Sequence, residues 1–169
     1  MRRDEETEVG MEREKLQEFT RRVTQASRTE LIVIMYDVIL EDTAAARRAL
    51  GQDDAEGYER ELKHAGRFVN ELMGALDFQY GLSRELFRLY SYLNRTLIRA
   101  RLSRGAALLD SADSMVQKLR DAFAQVSAQD ESGPVMRNTE QVYAGLTYGR
   151  GSLNESYLDP SGAKRGFMA

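Results

Sequence analysis

The sequence holds one histidine, His64, and it closes the run Glu61-Leu62-Lys63-His64. A Glu-x-x-His pair on a helix supplies part of a carboxylate-bridged di-metal centre, which needs two such pairs and two further glutamates. With one histidine the second pair cannot be made. His64 is therefore expected to be a solvated residue on a helix surface, and no metal or other cofactor is expected. Cysteine is absent, which removes disulfides, thiolate ligands and thiol nucleophiles and fits a reducing compartment. No serine stands in a Gly-x-Ser-x-Gly elbow, and any triad would draw on the same lone histidine. Gly149-Arg150-Gly151-Ser152 has the glycines of a phosphate loop but neither its lysine nor a preceding strand. Asp53 and Asp54 suit the positive end of a helix dipole better than acid-base work. No catalytic residue is expected, and the protein reads as one that holds another chain.

Arginines are the next chemistry-bearing set. Arg84, Arg88, Arg95, Arg99, Arg101 and Arg104 crowd one stretch, but 84/88 and 95/99 are i,i+4 pairs away from its leucine seam. They read as a solvated face, with no aromatic-interleaved pattern of a nucleic-acid reader. Net charge is −3, so no overall basic field draws the chain to nucleic acid or anionic membranes. No apolar run reaches the roughly 18 residues of a membrane span, and the charged start Met1-Arg2-Arg3-Asp4-Glu5-Glu6 is unlike a signal core. A cytoplasmic address is expected.

The elements that would position these residues are helices. Both prolines, Pro134 and Pro160, come late, so long helices are permitted before residue 130. Residues 1–26 read as a mobile start carrying a short amphipathic helix with Leu16, Phe19 and Val23 on one edge. Ser27-Arg28-Thr29-Glu30 spells a capping box, with Ser27 taking the N–H of Glu30 and Glu30 reaching back. The helix behind it, roughly 28–50, is expected to end at a left-handed Gly51. A second, from Asp53 or Asp54, steps 4-3-4-3-4 through Tyr58, Leu62, Ala65, Val69, Leu72 and Leu76, a heptad seam. Gly81 breaks the pattern, and a third helix from Ser83 carries Leu86, Leu89, Leu93, Leu97 and Ala100. After Gly105, Leu108, Ala112, Met115, Leu119, Ala122 and Val126 form a further seam. Short turns make successive helices antiparallel neighbours. The expected fold is all-α: an elongated antiparallel four-helix bundle over 27–128, with an irregular tail over 129–169, where Val142 to Gly149 is aromatic enough to dock on a free surface.

Apolar surface exceeds what four mutually packed helices need. Leu31, Ile32, Ile34, Met35, Tyr36, Val38, Ile39 and Leu40 surround most of the first long helix, and Phe87, Tyr90, Tyr92 and Ile98 stand outside the seam of the third. A helix apolar on two sides needs partners on two sides. Either these positions close a thick core, which is the better reading for any single one of them, or as a set some line a groove for a foreign helix; a self-associating structural bundle or adaptor using the same surface is the alternative function.

The residues Thr24-Gln25-Ala26-Ser27-Arg28-Thr29-Glu30-Leu31-Ile32-Val33-Ile34-Met35-Tyr36-Asp37 resemble the opening signature of the flagellin-specific export chaperones, the FliS family, which reads T-x-A-S-P-x-E-L-I-x-M-L-Y-D. Phe68 to Leu72 with Ala75-Leu76-Asp77, then Leu89-Tyr90-Ser91-Tyr92-Leu93, then Leu119 to Phe123 continue the likeness in order. Arg28 stands where the family has proline, and Phe123 where it often has tryptophan. The tail exceeds the family's length. The resemblance implies an antiparallel bundle, monomer or weak homodimer, that binds the disordered C-terminal segment of flagellin on apolar grooves. It further implies that premature polymerisation is blocked and that flagellin is handed to the type III export gate. The candidates for such a groove, as against the core, are Ile32, Met35, Tyr36 and Ile39 on the first long helix and Leu86, Leu89, Tyr90, Leu93 and Leu97 on the third. Asn70 either bonds client backbone or is an ordinary helix-surface asparagine. Leu16, Phe19 and Val23 would cover a groove while no client is present.

Overall fold

A computed structural model describes residues 16–136; the expectations for residues 1–15 and for the tail from 137, including the 142–149 segment, lie outside the described residues. A division of the chain falls between Arg137 and Asn138. The described residues form five helices and no strand: α1 (16–25), α2 (Arg28–Gly51), α3 (Ala55–Gly74), α4 (Gly81–Ser103) and α5 (Ala106–Ser127). The all-helical expectation agrees with this. A fifth helix, however, has its own polar ties to the rest.

Helix starts follow local chemistry. Ser27 Oγ accepts the Glu30 N–H at 3.2 Å, but Glu30 does not complete the box. Its carboxylate takes Arg22 Nε at 2.8 Å and Ser127 Oγ at 3.1 Å, because charged and hydroxyl donors from two other helices outcompete one backbone N–H. Asp54 caps α3 by accepting the Gly57 N–H at 2.9 Å. The expected left-handed stop at Gly51 moves to Asp53, with φ 56°, since Gly51 still completes the last turn of α2. Gly81 opens α4 rather than breaking a helix, two residues ahead of the expected Ser83 start. Between α4 and α5 the left-handed residue is Arg104, φ 49°, and Gly105 is the N-cap.

Four helices pack as a closed cycle in which α2 touches α3 and α5, and α4 touches the same two. The core runs through Tyr36, Ile39, Tyr58, Leu62, Leu93 and Leu97, with the small Ala46, Ala65, Ala100 and Ala112 letting the helices approach. The expected seam of α3 is buried through Leu72. On α5 the buried line is Leu109, Ala112 and Val116, while Val126 is 54% exposed. The expected α5 seam therefore straddles the core and one edge of the helix.

Polar ties fasten three of the four edges of the cycle. Arg47 reaches Asp110 at 2.7 Å and also Asp113, and Arg120 reaches Asp37 at 2.9 Å, joining α2 to α5. His64 and Asp42 join α3 to α2 at 2.8 Å. Tyr58 Oη donates to the Ala100 carbonyl at 2.8 Å and Asn94 Nδ2 to Asn70 Oδ1 at 3.0 Å, joining α3 to α4. Among the described residues no hydrogen bond or ion pair joins α4 to α5. That edge rests on apolar contact alone.

Candidate functional site

Helix α4 has an apolar core stripe with apolar side chains left over on both flanks. Leu86, Tyr90, Leu93, Leu97 and Ala100 point into the core. Between residues 78 and 102, eight large apolar side chains stay exposed: Phe78, Tyr80, Leu82, Phe87, Leu89, Tyr92, Ile98 and Leu102. Singly exposed hydrophobics are ordinary on a protein surface, but eight in 25 residues concentrate on this one helix and the turn that enters it. Phe78 and Phe87 already meet edge to face at 5.8 Å.

The two flanks differ. Toward α3, a cavity of about 210 Å³ is lined by Leu62, Gly66, Asn70, Asn94, Leu97 and Ile98, with Lys63, Arg67 and Arg101 at its rim. Gly66 makes the space: a Cβ there would meet only Asn94 Oδ1, at 3.9 Å. Leu82 and Leu89 stand on the opposite flank, which faces α5 because α3 and α5 are the neighbours of α4. Across that edge α5 offers half-buried Met115 and Leu119 and exposed Val126. This is the edge without polar ties.

The residues matched to client binding divide sharply. Tyr36, Ile39, Leu86, Tyr90, Leu93 and Leu97 belong to the core, each no more than 8% exposed. They lie on the sides of α2 and α4 that face the bundle axis, where three other helices surround them. Tyr36 and Tyr90 hydroxyls hydrogen-bond at 2.5 Å, and Phe123 packs on Tyr36 at 5.7 Å between ring centres. Burial pushes both tyrosine hydroxyls up from their ordinary ionisation range. Ile32 and Met35 are half-buried and pack on the core. Leu89 and Asn70 are the two exposed members of the set, and the Oδ1 of Asn70 already serves Asn94. Ile98, placed outside the seam by the sequence, is exposed as that implies, whereas periodicity missed Leu82 and Val126 as surface residues; their positions on the flanks of the apolar arcs were the available signal.

In α1, Leu16 and Phe19 are 65% and 43% exposed, so these two are not buried over a groove; Val23 is half-buried. What holds α1 is Arg22, which bonds Glu30 and Asp37 of α2, each at 2.7 Å. Val33 lies between those two acids along the same flank. It is 2% exposed yet outside the main core cluster, on the side of α2 that Arg22 ties to α1. Val135 N–H donates to the Ala26 carbonyl at 3.0 Å, and Thr29 Oγ1 bonds Asp130. These ties bring the chain after α5 back to the α1–α2 junction.

His64 is not simply solvated. Its Nδ1 lies 2.8 Å from Asp42 Oδ2, and its ring meets Phe68 edge-on at 5.1 Å. Burial raises the Asp42 carboxyl to about 6, His64 opposing and Glu61 and Glu41 adding to the rise. Among the described residues no helix is long and apolar enough to cross a membrane.

Comparison with known proteins agrees with the family resemblance. The chain is similar to the flagellar secretion chaperone FliS of Bacillus subtilis (strain 168), 28% identical over 103 residues, which are 61% of this chain and 77% of that protein. A family model described as flagellar protein FliS matches residues 11–130, which include all five described helices. The chain belongs to the FliS family of flagellar proteins.

Proposed function

We propose that this protein is a cytoplasmic export chaperone whose α2–α5 act as an antiparallel four-helix bundle presenting a trough for the C-terminal segment of flagellin. The reading is supported by family membership and by the name of the Bacillus subtilis relative. The observation that carries it is the unfastened α4–α5 edge, with Leu82 and Leu89 on one side and Val126 on the other. A client segment laid there folds into an amphipathic helix and buries its apolar face against that edge. It loses chain entropy in doing so, so the contact must be wide and mostly apolar. Segments that pack filament subunits together are thereby occupied, which blocks premature polymerisation until delivery to the export gate.

Helix α1 works in the same scheme as a removable cover. One half-buried arginine, Arg22, ties it by two ion pairs, and such pairs near the surface contribute only about 0–1 kcal/mol each. Its departure uncovers Val33 for a second stretch of client. The test is circular dichroism of the full chain mixed with the isolated flagellin C-terminal segment. A one-to-one complex whose helicity exceeds the sum of the parts supports the reading. An unchanged sum at concentrations of about 50 μM refutes it.

A further inference from the structure

The outward face of α4 is strongly cationic, and the α3 flank beside it carries Lys63, Arg67 and Arg101 as well. In α4 five arginines face a single glutamate, Glu85, while the whole chain carries −3. At 100° per residue, Arg84, Arg88, Arg95 and Arg99 fall within an arc of about 60° opposite the core stripe, forming a ladder roughly 22 Å long. All four are exposed. Arg88 pairs with Glu85 at 3.1 Å; among the described residues Arg84, Arg95 and Arg99 have no ion-pair partner. Beside the ladder runs the 210 Å³ cavity, whose floor is Leu62, Leu97 and Ile98 and whose far rim is Lys63 and Arg67 of α3. Lys63 is engaged by Glu59 at 2.7 Å. The result is an apolar furrow with Ile98 exposed in it, the arginine ladder on one side and Arg67 with the Glu59-paired Lys63 on the other; at 100° per residue Phe87 falls on the Ile98 side of α4, roughly 16 Å nearer its N-terminus.

We propose that this furrow docks an acidic amphipathic helix from a partner protein, its leucine-type side chains on Phe87 and Ile98 and its carboxylates on Arg67 and the arginine ladder. Carboxylates match guanidinium forks in geometry as well as charge. A second copy of this chain fits poorly, because an isologous contact would set ladder against ladder. RNA fits less well than a helix, because the furrow is lined by aliphatic Leu62, Leu97 and Ile98 rather than by a row of stacking rings. The furrow and the α4–α5 trough lie on opposite flanks of one helix, so neither occupant requires the other.

The test uses fluorescence anisotropy on the full chain with a labelled helical peptide of about 18 residues, glutamates flanking a leucine stripe, and a twin carrying lysine for each glutamate. Expected is binding of the glutamate peptide alone, weakened about tenfold or more in R67E/R95E/R99E, by less in R67Q/R95Q/R99Q, and weakened by added salt. No binding of the glutamate peptide, or binding untouched by the charge reversal, overturns the proposal. So does tighter binding of a single-stranded oligouridine probe that the reversal abolishes, or a sedimentation mass that falls on reversal, which would assign the furrow to RNA or to self-association. The peptide carries no flagellin sequence, so its result stands apart from that of the client titration.

Discussion

Replacing either core tyrosine by phenylalanine should cost more than replacing both. The Tyr36 and Tyr90 hydroxyls meet at 2.5 Å between α2 and α4, and both residues are at most 1% exposed. Tyr36→Phe keeps the ring against Phe123 but leaves the Tyr90 hydroxyl in an apolar core without a partner. A buried hydroxyl stranded in this way costs about 1–3 kcal/mol, whereas removing both members of a pair is close to neutral. With a urea slope of about 1.5 kcal/mol/M, each single substitution should lower the midpoint by roughly 1 M, and Y36F/Y90F by less than about 0.5 M. Equilibrium urea unfolding followed by far-UV circular dichroism closes the cycle. The coupling should be at least about 1 kcal/mol. Single effects that simply add in the double variant would show that the hydroxyls do not satisfy each other, and the account of the core would fail.

Other perturbations reach the remaining parts of the molecule. Asp42 titrates near 6, above its unfolded value of 3.8, so the folded state holds the extra proton and this group's contribution to stability rises as pH falls from about 6 to 4. Asp42→Asn should therefore stabilise by roughly 1–2 kcal/mol at pH 7.5, allowing for solvent screening, and by much less at pH 4.5, read from urea midpoints. Gly66→Ala should raise stability by about 0.5–1 kcal/mol, since the new methyl meets only Asn94 at ordinary contact distance; a loss in thermal midpoint would contradict the cavity there. Arg22→Ala should leave global stability within about 1 kcal/mol yet speed amide exchange over residues 20–26 and tighten flagellin-segment binding a few-fold, because the covered state is removed. Weaker binding would mean that α1 belongs to the site rather than to its cover.

Much of the architecture was legible because it is local. The Ser27 cap, the Asp54 start and the 4-3-4 line from Tyr58 to Leu72 each depend on residues a few positions apart, and each stands as the sequence implies. What periodicity could not supply was how wide an arc on each helix is covered. Leu86, Leu89 and Leu93 share one apolar face, yet Leu89 is 38% exposed while Leu93 is fully buried; Leu89 stands about 40–60° further round the helix, at the edge of the arc that the neighbours cover. Tyr36 and Ile39 read as groove residues but close the core, and Val126 reads as core but faces solvent. The Asp42–His64 pair and the Arg22 clamp join residues on different helices, which no spacing rule within one helix reveals.

The central claim is that the α4–α5 edge receives the C-terminal segment of flagellin. Isothermal titration of that segment into the chain and into L89D/V126D tests it most directly, since both side chains are exposed and their replacement leaves the core intact. The account predicts one-to-one binding with a negative heat-capacity change, weakened about tenfold or more in the variant at an unchanged thermal midpoint. Equal affinity for the two chains would contradict it.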